Sequence, residues 1–324
     1  MSEVLFSAAP IKDHGIEHHD FLRAVIDGLG KTQKELPCRF FYDERGSVLF
    51  EEITRLDEYY PTRTEAAILR NCAGEIAAAS RPGTVLIEFG SGSSTKTEIL
   101  LEAMPQLGAY VAIDVSESAL EEARARIEAR FPHLRVETLI GDFSGLISLP
   151  AICRDAPALG FFPGSTIGNL TRPEAITLLR HFNDLLGVGS RFVAGVDLKK
   201  DTVILLPAYN DAAGVTAAFN LNLLVRINRE LSGDFDLNQF RHESVWNESA
   251  GRIEMHLVSL CAQNVEIDGH RFHFARGETV HTENSHKYGV GEFQSLARSA
   301  GWAPAKVWTD PERLFSVHEL AAGA

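Results

Sequence analysis

The first chemistry legible in the sequence lies in glycines and carboxylates set at the ends of successive apolar runs. Residues 88–95 read EFGSGSST, directly after an apolar run and ahead of a helical pattern. Glycines at 90 and 92 let backbone amides and a helix N-terminus approach a ligand closely. A dinucleotide fingerprint wants a third glycine three residues after the second, but Thr95 stands there, which weakens a nicotinamide reading. Asp114 ends the next apolar run, where a carboxylate can accept hydrogen bonds from both hydroxyls of a ribose. Asp142 and Phe143 follow a third run, where a carboxylate and a ring can read an adenine by its exocyclic amine and by stacking. Singly, these residues serve as well for a tight turn or a helix cap. Together they mark the carboxyl ends of strands, where open α/β sheets bind ligands.

Those positions need a sheet to hold them. Apolar runs at 84–89 (TVLIEF), 110–114 (YVAID), 136–140 (VETLI), 159–162 (LGFF) and 192–197 (FVAGVD) alternate with helical patterns at 95–104, 118–130 and 173–186. The helix at 118–130 reads as opening with a capping box of Ser118 and Glu121. It would bury Leu120, Ala123 and Ile127 and pair Glu122 with Arg126. This alternation predicts a parallel, doubly wound sheet. From 201 to 285 the pattern changes to a helix at 215–231 and alternating runs at 252–260 and 270–274, which read as antiparallel strands. A helix at 292–300 and two strands near 305–309 and 314–320 complete the chain. The expected fold class is α/β: a Rossmann-like sheet from 61–200 plus 286–324, with an inserted α+β substrate-binding domain from 1–60 plus 201–285.

Charge and composition exclude several function classes. The chain of 324 residues carries 31 Lys+Arg against 44 Asp+Glu, a formal net charge of −13. Such a field repels phosphate backbones and anionic membranes, so neither nucleic acid nor membrane is expected as a partner. Four cysteines, Cys38, Cys72, Cys153 and Cys261, have no zinc-knuckle or redox spacing. With no signal-like N-terminus and no long apolar run, a soluble, cytoplasmic protein is expected, and separately a monomer. No metal is expected among the 12 histidines. The adjacent His18 and His19 point apart, and His270 and His273 face opposite sides of a strand. With His281 and His286, these read as surface residues.

The E-x-G-x-G turn resembles the first motif of class I S-adenosylmethionine-dependent methyltransferases. More specific segments are spread along the chain: 42–47 (YDERGS), 58–65 (EYYPTRTE), 164–170 (GSTIGNL), 197–202 (DLKKDT), 208–220 (AYNDAAGVTAAFN), 228–231 (NREL), 252–255 (RIEM) and 282–285 (TENS). Together they resemble the histidine Nα-methyltransferases of ergothioneine biosynthesis, which trimethylate the α-amine of L-histidine. The resemblance spans about 42–311. It implies S-adenosyl-L-methionine as methyl donor and S-adenosyl-L-homocysteine as product, bound by Tyr42, Gly90, Lys96, Asp114, Asp142 and Phe143. It implies substrate contacts at Tyr59, Gly164, Asn169, Tyr209, Met255, Glu283 and Ser285, with Tyr42 and Asn169 closest to the reacting amine. Asn284 is assigned no contact.

The residue types suit that chemistry. Attack of an amine on a sulfonium methyl needs a neutral lone pair aimed along the S–CH₃ bond, so positioning supplies much of the rate. An α-amine with a reference pKa of about 8 is largely protonated at neutral pH, and the site must bind or generate its neutral form. Asn169 can serve a carboxylate through its NH₂ and an amine through its carbonyl, while Tyr59 and Tyr209 can donate to the carboxylate. Glu283 can accept from an imidazole N–H, Ser285 can meet the other ring nitrogen, and Met255 offers an adaptable apolar wall. The rivals are a methyltransferase acting on another amino acid or an indole derivative, and a non-catalytic S-adenosylmethionine-binding protein.

Overall fold

The computed structural model describes residues 14–92, 95–143, 145 and 147–323. Residues 1–13 and Ser93 and Ser94 of the glycine turn lie outside the described residues, as do 144, 146 and 324. The chain opens with α1 (His14–Leu29), a short strand β1 (Lys34–Glu35), a 3-10 turn (Cys38–Phe41), α2 (Glu44–Ile53) and α3 (Tyr60–Ala78). The alternating region follows: β2 (Val85–Phe89), α4 (Thr95–Ala103), β3 (Ala109–Asp114), α5 (Glu117–Arg130), β4 (Val136–Ile140), β5 (Ala158–Phe162), α6 (Arg172–Leu186) and β6 (Arg191–Asp197). Next come α7 (Thr202–Leu205), α8 (Val215–Glu230), β7 (Phe240–Asn247), β8 (Arg252–Ser259), β9 (Gln263–Ile267), β10 (His270–Phe274) and β11 (Thr279–His286). Helix α9 (Val290–Ser299) and strands β12 (Trp302–Thr309) and β13 (Phe315–Ala322) complete it.

Among the described residues seven strands form one sheet in the order β12-β13-β6-β5-β2-β3-β4. Strands β2 to β6 are parallel, whereas β13 runs antiparallel to β6 and pairs with β12 as a hairpin. The direction of winding reverses at β2, so a crevice opens outside the carboxyl ends of β2 and β5. All five residues of β2 are buried, because both faces of the sheet are covered. On one face Phe89 stacks on Phe182 with ring centroids 4.0 Å apart, beside Phe192 and Trp302; the other face packs Ile68, Leu100, Tyr110 and Phe315.

Helix α5 departs from the expected details at its entry. Leu120, Ala123 and Ile127 are buried as the periodicity predicts, but the N-cap is Ser116, whose Oγ accepts from the Ala119 amide at 3.3 Å. The Asp114 carboxylate accepts from the Ser116 amide at 3.0 Å and so starts the turn two residues earlier than a cap at Ser118. Arg126 reaches Glu98 on α4 at 2.8 Å rather than Glu122 on its own helix.

The second sheet has the order β1-β11-β8-β7, with β1 parallel to β11 and the remaining pairs antiparallel. Its core joins Phe21, Phe41 and Tyr59 from the N-terminal segment to Phe219, Leu223, Met255 and Phe274. The two sheets meet where Leu198, just past β6, bridges to Tyr288, just past β11.

One glycine in this second core is required sterically. A Cβ on Gly46 would lie 1.7 Å from the Phe41 carbonyl oxygen, so the 3-10 turn carrying Phe41 can fold onto α2 only if residue 46 has no side chain. Asp43 caps α2, accepting from the Gly46 amide at 2.8 Å, and is held from α8 by Asn222 at 2.8 Å and Arg229 at 2.7 Å. Tyr42 is thereby fixed between two anchored neighbours. Gly46→Ala is expected to cost about 3 kcal/mol, the upper end of ordinary overpacking, measured by urea unfolding. A loss below about 0.5 kcal/mol would show that the turn yields freely.

Candidate active site

Strand β11 organises one half of the site. Side chains alternate across a strand, so Glu283 and Ser285 share a face while Asn284 and His286 occupy the other. Met255 on β8 stands directly opposite Glu283 in the register, which places both on the same face. Burial pushes the Glu283 carboxyl up to about 7, with Lys287 opposing. Its charge in turn helps to raise Cys38, Tyr42, Tyr59 and Tyr209, so these side chains gather around it. Burial first and Glu283 second hold the Tyr42 phenol well above its ordinary value, and burial dominates for Tyr59 and Tyr209 too. At neutral pH all three remain phenols, able to donate and unsuited to act as phenolate bases. The rings pack edge to face: Tyr59 on Tyr209 at 6.4 Å and Tyr42 on Phe50 at 5.6 Å.

Gly164 and Asn169 arrive from the loop after β5. A 3-10 turn (Thr166–Asn169) presses Gly168 onto β11, where a Cβ would sit 2.8 Å from the His286 carbonyl oxygen. That contact brings Asn169 alongside the strand carrying Ser285. The Gly164 amide donates to both oxygens of Glu65 at 3.1 and 2.9 Å, and Lys96 Nζ binds the same carboxylate at 2.6 Å. Glu65 is 0% exposed, so Lys96 is held as its counter-charge beside Gly164.

The carboxyl ends of β2 to β4 build the other half. Asp114 Oδ2 accepts from the Gly92 amide at 3.1 Å, and the Phe143 ring lies 3.4 Å from where a Cβ on Gly90 would stand. Asp142 is approached by Arg39 Nη1 at 3.6 Å, from the turn that precedes Tyr42. Tyr42 is raised by Asp114 as well as by Glu283, so it stands between the two halves. This donor set fits an adenosyl ligand: a carboxylate for vicinal hydroxyls, a ring and a second carboxylate for a purine, and a glycine turn that leaves room. Glu88 lies beneath the turn, where burial lifts it to about 7 although Thr97 and Tyr110 donate to it.

Sequence reasoning missed a buried polar network that ties the halves together. Asp197, 1% exposed at the end of β6, pairs with Lys287 at 2.7 Å and Lys200 at 2.6 Å and accepts from the Tyr60 hydroxyl at 2.8 Å. Burial alone would raise the Asp197 carboxyl, but the two ammonium groups outweigh it and hold it below the usual carboxylate range. Burial lowers Lys200 to about 8 against the pull of Asp197. Lys287 continues the alternation of Glu283 and Ser285, and that spacing was the signal available in the sequence.

The histidines divide. His18, His19, His270 and His273 are exposed, whereas His281 and His286 are partly buried rather than surface residues, since β11 is an inner strand between β1 and β8. His281 stacks on His256 at 4.9 Å, and with Glu254 they bring possible ligand atoms within 4.8 Å of one another. Glu254 already accepts from Arg252, Asn247 and His256 at 2.8, 2.8 and 3.1 Å. Among the described residues no helix is long and apolar enough to cross a membrane.

Residues 21–322 match the family model for histidine-specific, S-adenosylmethionine-dependent methyltransferases. The chain is 45% identical over 301 residues to a histidine N-alpha-methyltransferase of Mycolicibacterium smegmatis, covering 91% of this chain and 92% of that protein. It is 41% identical over 310 residues to the protein of the same name from Mycobacterium tuberculosis, covering 94% and 95%. It is 33% identical over 298 residues to ergothioneine biosynthesis protein 1 of Neurospora crassa, covering 89% of this chain and 33% of that longer protein. With the family model matching nearly its whole length, the chain belongs to the histidine-specific, S-adenosylmethionine-dependent methyltransferase family.

Proposed function

We propose that the protein methylates the α-amine of L-histidine three successive times to give hercynine, the Nα-trimethyl betaine, as a step of ergothioneine biosynthesis. The observation that carries the substrate choice is the pair Glu283 and Ser285 on one face of β11, with the Tyr209 hydroxyl 2.7 Å from Ser285. An imidazole N–H suits the acceptor and the other ring nitrogen suits the hydroxyl. S-adenosyl-L-methionine supplies an electrophilic methyl group and leaves as S-adenosyl-L-homocysteine. Gly90, Asp114, Asp142 and Phe143 would hold it, with Lys96 and Tyr42 as further contacts. Tyr59, Tyr209 and Asn169 would hold the amino-acid carboxylate and aim the amine, with Tyr42 and Asn169 nearest the reacting nitrogen and Gly164 and Met255 as walls. The ring and carboxylate clamps leave the growing methyl groups untouched, so each product can rebind for the next transfer. The substrate-binding part is assigned to 1–60 plus 201–285 and the methyltransferase sheet to 61–200 plus 286–324.

Mass spectrometry after incubation with histidine and S-adenosyl-L-methionine is expected to show one, two and then three added methyl groups. The absence of any methylated histidine overturns the reading. The pH dependence has a definite sign. Burial sets Glu283 near 7, so below that pH it is protonated and loses its charge as acceptor for the ring. kcat/KM for histidine should therefore rise through an acid limb at about 7. Glu283→Gln should abolish that limb while leaving the limb due to the substrate amine; a limb unchanged in the variant assigns it to another group.

A further inference from the structure

Lys287 has no role in the reading above, yet its surroundings constrain it fully. An ammonium offers three N–H donors and no acceptor. Lys287 is 0% exposed, and its Nζ lies 2.7 Å from Asp197 Oδ2, 2.7 Å from the Tyr209 hydroxyl and 2.7 Å from the Ser285 hydroxyl. Those two hydroxyl oxygens are also 2.7 Å apart. Each hydroxyl thus accepts from Lys287, and one of their two hydrogens lies between them. The remaining hydrogen points away from the ammonium. If it belongs to Ser285 it meets a ring nitrogen; if it belongs to Tyr209 it meets the amino-acid carboxylate. In either arrangement the ligand must present an acceptor.

The orientation of Lys287 is fixed from behind. Asp197 is held by Lys200 and Tyr60 at the end of β6, and the Lys287 ammonium also sits over the Tyr209 ring, 4.6 Å from its centroid. The titratable groups facing Glu283 come from several elements: Cys38 and Tyr42 at the first 3-10 turn, Tyr59 at the start of α3, Tyr209 after α7, and Lys287 after β11. Lys287 is the cation that opposes the burial of Glu283.

We propose that Lys287 is a positioning residue for substrate selection: it makes the Tyr209–Ser285 hydroxyl pair a single outward hydrogen-bond donor and supplies the positive charge facing Glu283. This rests on the reading of Tyr209, Ser285 and Glu283 as histidine-binding side chains. It makes the site directional, because the hydroxyl pair then offers the ligand a donor while Glu283 offers an acceptor. With the outward hydrogen on Ser285, a neutral imidazole matches one of each. An imidazolium, with two N–H groups, does not.

The test uses the full-length enzyme and two variants. Lys287→Met removes charge and donors; Lys287→Gln removes charge, keeps two of the three donors and adds an acceptor oxygen. Lys287→Met is expected to raise the KM for histidine roughly thirtyfold or more while the KM for S-adenosyl-L-methionine stays within about threefold. Both variants should move the acid limb of kcat/KM above its wild-type position, since Glu283 loses its cation. In a Ser285→Ala background, Lys287→Met should raise the histidine KM much less, as expected when two residues act through one hydrogen bond. A stabilising shift by S-adenosyl-L-homocysteine equal to that of wild type reports an intact fold. If Lys287→Met does not fold, Lys287→Gln carries the test through its limb. An unchanged histidine KM and an unmoved limb in a folded variant overturn the proposal. A wild-type enzyme that methylates no histidine overturns the underlying reading instead.

Discussion

Glu283→Ala is expected to lower kcat/KM for histidine by about 100-fold or more, equivalent to about 3 kcal/mol, with the KM for S-adenosyl-L-methionine little changed. The carboxylate is partly buried, with Tyr42, Tyr59 and Tyr209 close enough to feel its charge, so an imidazole N–H bound there would lose its acceptor in a partly desolvated setting. A hydrogen bond to a charged, desolvated group is worth more than one at the surface. Discrimination should collapse with it. A site built to satisfy a polar edge rejects ligands that lack it, so the preference for histidine over tryptophan should narrow by a similar factor. Competition kinetics with the two amino acids measure this directly. An unchanged ratio would remove Glu283 from substrate selection and favour the rival reading of another amino acid or an indole derivative.

Asp197→Ala should produce the largest loss of stability. It leaves Lys287, 0% exposed, and Lys200, 7% exposed, without the carboxylate that both share. Breaking a buried pair by removing one partner costs about 3–5 kcal/mol, because the remaining charge is stranded away from water. Here two charges are stranded. The Tyr60 hydroxyl also loses its acceptor, and the contact between the sheets at Leu198 and Tyr288 adjoins the same residue. Urea unfolding of Asp197→Ala beside Asp197→Asn, which keeps the volume and part of the hydrogen bonding, is the measurement. A loss below about 1 kcal/mol would mean that water or a rearranged side chain already neutralises the lysines.

The alternating region was largely legible because its strands are buried on both faces and separated by well-patterned helices. The runs at 136–140 and 192–197 reappear as β4 and β6 with little adjustment. Errors fell where one local pattern offered two solutions. Ser116 and Ser118 can each cap a helix, and the choice was made by Asp114, which orders the Ser116 amide. Arg126 had a partner one turn back and another across space, and the long-range contact with Glu98 prevailed. The N-terminal segment was harder to read. Its two-residue strand β1 exists only because β11 supplies a parallel edge, and nothing local announces it.

What the sequence determined by itself was the set of chemical groups and their spacing along the chain: a glycine turn after β2, carboxylates at the ends of β3 and β4, and Glu283 and Ser285 two residues apart. Period-two alternation in a strand makes that last pair cofacial wherever the strand lies. Tertiary structure alone decided what each group faces. Glu65 and Lys96 lie 31 residues apart and become ion-pair partners, while Asp197, Lys287, Tyr60 and Tyr209 meet only when β6 and β11 are brought end to end. Burial and proximity are properties of the packed chain, and they are what lift Glu283 to about 7 and keep the surrounding phenols protonated. A residue type states which bonds a side chain can make; the low-dielectric enclosure formed by distant segments decides which protonation state it carries and which bonds it has left to offer.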